Sequence, residues 1–144
     1  ELGLMKIIPK EALKFNLRVY GIIPQFLSNT IKTNSVLTDL IITKNLEQRK
    51  KQFLKRSDCF LVLPGGLGTL NELLDIMVKN ILKENNKPIF LINDNNYWEP
   101  FLDLLNHFEK ENFLDNSVIG KTIDISSFEN IKKKIEKLND KNNS

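Results

Sequence analysis

Three observations on this 144-residue sequence predict an α/β fold, with a parallel sheet covered by helices on both faces. Short apolar runs alternate with longer amphipathic ones along the chain. One unit, Leu61 to Ile81, reads as strand, glycine turn and helix in direct succession. No internal repeat breaks the alternation.

The first helical pattern follows Leu2-Gly3-Leu4-Met5. Pro9 is tolerated only in a first helical turn, so this helix is expected to start late or to kink, with Leu13 and Phe15 as its packing residues. Arg18 to Ile23 is β-rich and ends at Pro24, which reads as a strand. Gln25 to Val36 is a polar connection; its length is unusual for a plain linker, and long loops in compact domains are often functional. Leu40, Ile41 and Ile42 form the next strand.

Leu46 to Arg56 reads as a basic helix with Leu46, Phe53 and Leu54 on its apolar stripe. Arg49 and Lys50 fall on that same stripe. A guanidinium aimed at the core side needs an acidic or anionic partner. Alternatively its stem packs while its head reaches water. The pattern alone leaves both readings open.

Cys59 to Leu63 is an apolar run of strand length, and Cys59 within it reads as core packing. Pro64, Gly65, Gly66 and Gly68 break the strand and permit backbone angles that a Cβ disfavours. Leu70, Leu73, Leu74, Met77, Val78 and Ile81 then lie on one helical stripe. A glycine turn feeding a helix N-terminus presents N–H groups beside the positive end of the helix dipole, an anion site that most often takes phosphate. The P-loop is excluded because no Gly-Lys-Ser/Thr ends the turn. The dinucleotide fingerprint is excluded because Asn71 stands where its third glycine belongs. With Thr69 as N-cap, Glu72 is the last residue of a Thr-x-x-Glu capping box worth about 1 kcal/mol. Position alone leaves a capping role and a chemical role both open for Glu72.

Pro88 to Ile92 reads as a buried strand, and Asn93 to Asn96 as a turn. Tyr97-Trp98-Glu99-Pro100 leads into a helix with Phe101, Leu104, Leu105 and Phe108 on its stripe. The Tyr97-Trp98 pair reads as an aromatic anchor under the sheet, and His107, roughly opposite the stripe, as solvated. Ile123 and Ile125 mark a last strand. Ser126 and Glu129 have capping-box spacing before a final helix carrying Phe128, Ile131, Ile135 and Leu138. Residues 1–138 are expected to form a single domain, and 139–144 a frayed polar tail.

Length suits one domain, and 41% hydrophobic with 27% charged residues is ordinary for a globular protein. A net charge of +3, from 21 basic and 18 acidic residues, argues against a dedicated nucleic-acid or membrane partner. The single cysteine rules out an intramolecular disulfide framework and fits a reducing, cytoplasmic setting. No apolar run has transmembrane length and no signal-peptide pattern is present. Beginning at Glu1 and not at a methionine, the chain is expected to be a fragment or a processed product.

Ligands of parallel α/β sheets bind beyond the carboxyl ends of the strands. The 64–72 turn lies at one such end, and the first turn of the Arg49 helix is expected near the same cleft.

Residues 64 to 72, Pro-Gly-Gly-Leu-Gly-Thr-Leu-Asn-Glu, resemble the PGGxGTxxE signature of the family long labelled "lysine decarboxylase-like". Its characterised plant and bacterial members are the LOG ("Lonely Guy") cytokinin-activating phosphoribohydrolases. The match is complete over nine residues. In the family an Arg-Lys pair stands fifteen residues before the motif proline, as Arg49 does before Pro64. Family members usually read Met-His-x-Arg-Lys there, and this chain has Leu46-Glu47-Gln48-Arg49-Lys50. The resemblance runs from Gly3 to about Ile125. Tyr97-Trp98 resembles the family's Tyr-Tyr, the 25–36 loop would lie near the nucleobase pocket, and the family's Trp-x-Gln is replaced by Lys79, Asn80 and Ile81.

The resemblance implies a Rossmann-like three-layer sandwich, a nucleotide-binding domain in which the family's first strands and glycine-rich turn are absent. It implies hydrolysis of the N-glycosidic bond of a nucleoside 5′-monophosphate, either a cytokinin riboside 5′-monophosphate or AMP. Arg49 and Glu72 would be the catalytic pair. Phosphate would rest on Gly65, Gly66, Gly68 and Thr69, with Lys50 adding positive potential. No metal or cofactor is expected, and a homodimer built on the helices around the motif is. A pyridoxal-phosphate decarboxylase would need a far larger chain. The alternatives are a non-catalytic nucleotide- or phosphate-binding module and an inactive, truncated family member.

Overall fold

The computed structural model describes residues 3–28, 37–115 and 118–142. Helices and strands alternate as α1 (Gly3–Lys14), β1 (Tyr20–Pro24), α2 (Gln25–Ser28), β2 (Asp39–Thr43), α3 (Leu46–Arg56), β3 (Phe60–Val62), α4 (Leu67–Ile81), β4 (Ile89–Ile92), α5 (Glu99–Lys110), α6 (Val118–Lys121), β5 (Ile123–Ser126) and α7 (Phe128–Asn142). Every strand pairing among the described residues is parallel. The alternation and the parallel pairing make this an α/β, Rossmann-like architecture. The chain divides into two compact units, Glu1–Arg56 and Ser57–Ser144.

In the first unit β1 and β2 pair from Tyr20↔Asp39 to Pro24↔Thr43. Ile22, Ile23 and Pro24 are buried, so the strand begins two residues later than the β-rich run and takes in its proline. Gly21 admits Leu37 to the sheet: a Cβ there would lie 2.6 Å from Leu37 Cδ1. The helix α1 carries Pro9 inside it and starts at Gly3, so it does not start late. Phe15 stands just past its end, 75% exposed, and is not a packing residue; Leu13 is half-buried. The expected loop 25–36 opens instead with the single turn α2, and residues 29–36 lie outside the described residues. Thr43 Oγ1 lies within hydrogen-bonding distance of Ile23 O and Asn45 O and shares its one proton between them, tying the end of β2 to β1 and to the start of α3.

In the second unit the strand order is β3-β4-β5. All four residues of β4 are buried, as a central strand covered on both faces requires. One face packs Phe90 and Ile92 against Ile131, Ile135 and Leu138 of α7, with Cys59 and Leu63 at its border. The expected core role of Cys59 is observed. Burial, followed by the neighbouring Asp58 charge, pushes its thiol pKa up.

Three stripes turn out narrower than their periodicity. On α4 the buried residues are Leu73, Ile76 and Met77, whereas Leu74, Val78 and Ile81 face outward. On α5 Leu102 replaces Leu104 and Phe108, joining Phe101 and Leu105 in the core. On α7 Phe128 is exposed and Ile131 carries the burial. Periodicity marks a wide apolar arc; the neighbouring layer decides which side of it is covered.

The cap of α7 is also shifted by one residue. Ser126 is the buried last residue of β5, so Ser127 takes the cap: its N–H donates to Asn130 Oδ1 (2.9 Å), and Asn130 N–H donates back to Ser127 Oγ (3.4 Å). Asp94 Oδ2 accepts the Phe128 N–H as well. The helix continues to Asn142 through most of the expected tail; residues 143 and 144 lie outside the described residues.

Candidate functional site

The glycine turn joins the carboxyl end of β3 to α4, as its sequence requires. Its cap differs from the expected one. The N-cap is Gly66, extended at φ −96° and ψ −155°, and no side chain caps the helix. Leu67 is therefore the first helical residue, Thr69 the third and Glu72 the sixth, which excludes the Thr69–Glu72 capping box. Glycine is an accepted N-cap, and Thr69 is occupied elsewhere. Its side chain lies against Gly65, where a Cβ would stand 2.2 Å from Thr69 Oγ1 and 2.8 Å from Thr69 Cβ. Gly65 is needed for that close approach.

The first helical bond runs from Leu70 N–H to Gly66 O at 3.0 Å. The N–H groups of Leu67, Gly68 and Thr69 accordingly have no acceptor within the helix and sit at its positive end. Gly66, Leu67 and Gly68 are exposed, so this donor set is open to solvent. Glu72 follows one turn later and is half-buried.

A residue that sequence reasoning placed under the sheet joins this turn. Tyr97, 49% exposed, donates its hydroxyl to Gly65 O at 2.8 Å. Its neighbour Trp98 is the buried member of the pair at 5% exposure, edge-on to Tyr97 with ring centroids 5.1 Å apart. The loop that carries both is tied down. Asn93 donates its backbone N–H to Ser126 O, accepts the Trp98 N–H on Oδ1 at 2.7 Å, and donates Nδ2 to Glu99. Asn95 and Asn96 take φ near +57° and +56°, the left-handed angles that asparagine tolerates best among residues with a Cβ. The sequence carries no signal for this contact, which depends on β3 and β4 being neighbouring strands whose carboxyl-end loops then meet.

In the first unit, Asn45 Oδ1 accepts the Gln48 N–H at 2.9 Å, a cap that sets the start of α3. Arg49 follows in the first turn. Its Nε donates to Ile22 O at 2.9 Å in a part-buried position, and its guanidinium lies 5.1 Å from the centroid of the Phe53 ring. The side chain thus points at β1, one of the two readings its place on the apolar stripe left open, and a backbone carbonyl is among its partners. Lys50 beside it is half-buried.

The positions where Lys79 and Asn80 replace the expected Trp-x-Gln serve the helix end. Lys79 pairs with Asp75 at 2.5 Å, and Asn80 donates to Lys87 O. Among the described residues, no three His, Cys, Asp or Glu side chains are grouped to hold a metal ion. No helix among them is long and apolar enough to cross a membrane.

A family model described as "Possible lysine decarboxylase" matches residues 5–135. A cytokinin riboside 5′-monophosphate phosphoribohydrolase of Rhodococcoides fascians is 33% identical over 122 residues, 84% of this chain and 62% of that protein. One from Arabidopsis thaliana is 30% identical over 135 residues, 94% of this chain and 63% of its own length. A probable one from Oryza sativa subsp. japonica is 33% identical over 112 residues, 78% of this chain and half of that protein. The chain therefore spans between half and two thirds of the length of these curated relatives.

Proposed function

The chain belongs to the "possible lysine decarboxylase" family, and from that premise we propose that it hydrolyses the N-glycosidic bond of a nucleoside 5′-monophosphate. Cytokinin riboside 5′-monophosphate is the substrate in the names of its relatives, and AMP is the simplest substrate of the same class. The observation that carries the reading is the intact Pro64–Glu72 turn, with exposed helix-start donors one turn ahead of a half-buried carboxylate.

The 5′-phosphate rests on the N–H groups at Gly65, Gly66, Gly68 and Thr69, which fixes the ribose relative to α4. The bond from C1′ to the base nitrogen breaks through an oxocarbenium-like transition state. Glu72 stabilises the positive charge developing on the sugar and holds the attacking water. The water oxygen bonds to C1′, the base leaves with a proton, and ribose 5-phosphate is the second product. Water is the only co-reactant. Arg49 orients the sugar-phosphate or the departing base, and its bond to Ile22 O supports this by restraining the side chain before substrate arrives. Lys50 adds positive potential.

The protein acts in the cytoplasm as a homodimer. Leu67, Leu74, Val78, Ile81 and Leu82 form an exposed apolar face along α4 and its end, which suits a self-complementary interface.

The test is release of adenine and ribose 5-phosphate from AMP, followed by chromatography, with Glu72→Gln and Arg49→Ala alongside. Base release is expected from the wild type and lost in both variants, with AMP still bound by Glu72→Gln. Undiminished release from Glu72→Gln would refute the assignment. AMP binding with no release by the wild type would instead establish a nucleotide-binding module.

A further inference from the structure

We propose that Tyr97 is a positioning residue of the glycine turn, setting the direction of the Gly66 N–H through the carbonyl of Gly65. The inference rests on the reading of that turn as the seat of the substrate phosphate.

Gly65 C=O and Gly66 N–H belong to one peptide group. All peptide bonds among the described residues are trans, and in a trans peptide the C=O and N–H bonds point to opposite sides. Whatever holds the carbonyl therefore aims the amide. Tyr97 Oη holds it, at 2.8 Å. With the oxygen turned to the tyrosine, the Gly66 N–H is turned away from it, one position ahead of the helix-start donors of Leu67, Gly68 and Thr69.

Glycine on both sides of this peptide leaves the flanking angles unrestricted by any Cβ, so a flip of the Gly65–Gly66 unit has a low intrinsic cost. A flipped peptide would present a carbonyl oxygen where an anion is to bind. The packing of Thr69 against Gly65 restricts the position of the turn.

Tyr97 is itself well fixed for this task. Its ring stands edge-on to buried Trp98, whose backbone N–H is bound by Asn93, and Asn93 is bonded in turn to the end of β5. The frame of the sheet thus reaches the phosphate turn through one phenol. Since Tyr97 acts through a backbone group, its removal should weaken phosphate recognition without removing a reacting group.

The experiment uses Tyr97→Phe, which keeps the ring and deletes the hydroxyl. AMP and adenosine serve as probes in titrations that follow the Gly66 amide by nitrogen–proton NMR, with steady-state kinetics on AMP in parallel. For the wild type, AMP is expected to bind more tightly than adenosine and to shift the Gly66 amide, as adenosine does not. In Tyr97→Phe the dissociation constant for AMP should rise roughly three- to tenfold, the loss of one hydrogen bond. Adenosine affinity should hold, the Gly66 shift should shrink, and KM should rise more than kcat falls. AMP affinity within twofold of wild type with the Gly66 shift retained would overturn the role of Tyr97 alone. Equal weakening of AMP and adenosine would also overturn it, marking Tyr97 as merely structural. A wild type that binds AMP no better than adenosine would overturn the phosphate reading and this inference with it.

Discussion

Adding one methyl group at Gly65 tests the architecture of the turn directly. In Gly65→Ala the new Cβ falls 2.2 Å from Thr69 Oγ1, 2.8 Å from Thr69 Cβ and 3.2 Å from Thr69 Cγ2. Rotation of the threonine side chain can carry Oγ1 and Cγ2 away. It cannot move Cβ, which the backbone of α4 holds. Carbon atoms pack best about 3.5–4.0 Å apart, so the two Cβ atoms are about 1 Å too close and the first turn of α4 must shift by roughly that amount. Overpacking of this kind costs about 1–3 kcal/mol. Equilibrium urea unfolding should report it as a midpoint lowered by about 1 M at unchanged slope. If the proposed hydrolysis holds, a 1 Å displacement at the site should also lower kcat/KM for AMP by about 100-fold. The double variant Gly65→Ala with Thr69→Gly removes the colliding atoms and should recover part of the stability, less a few tenths of a kcal/mol because glycine is a poorer helix former than threonine. A Gly65→Ala protein within 0.5 kcal/mol of wild type, or one that Thr69→Gly fails to relieve, would show that the Gly65–Thr69 contact does not shape the turn.

Cys59 offers a test that needs no substrate. Its pKa is raised in the folded state, by burial and then by Asp58, so its contribution to stability is complete below the ordinary thiol pKa and is lost as pH rises through the raised value. A thiol reagent at pH 8 should label the folded protein more slowly than the urea-unfolded one, and Cys59→Val should lose less stability than wild type on the alkaline side. Equal labelling rates would contradict the burial argument. For the proposed homodimer, Leu74→Lys with Val78→Lys should give a monomer by sedimentation with an unchanged far-ultraviolet spectrum, because both side chains already face outward. An unaltered mass would place any interface elsewhere.

Much of this protein is legible from local pattern. The α3 helix runs from Leu46 to Arg56 as its sequence predicts, and β2, β4 and β5 fall where short apolar runs place them. The glycine turn stands between strand and helix because three glycines and a proline can do little else there. The inward placement of Arg49 is one of two readings its spacing on the stripe left open, and the structure selects it. Helix and strand periods are properties of consecutive residues, so they survive without knowledge of the fold.

The tertiary structure decided what depends on residues far apart in the chain. Several glycines in succession leave the start of α4 undetermined locally. Thr69 is ruled out as the cap once its side chain packs on Gly65, and Gly66 takes that place. Ser126 has the right spacing for a cap, yet the pairing of β5 with β4 consumes it and passes the cap to Ser127. Which side of each apolar stripe is buried, as with Leu73 against Leu74, depends on the neighbouring layer. Tyr97 meets Gly65 across 32 positions because β3 and β4 are adjacent strands. The sequence by itself marked most of the elements, the family and the glycine turn. Only the packed sheet determined which groups hold that turn in shape, because a contact between distant residues is a property of the layers that bring them together.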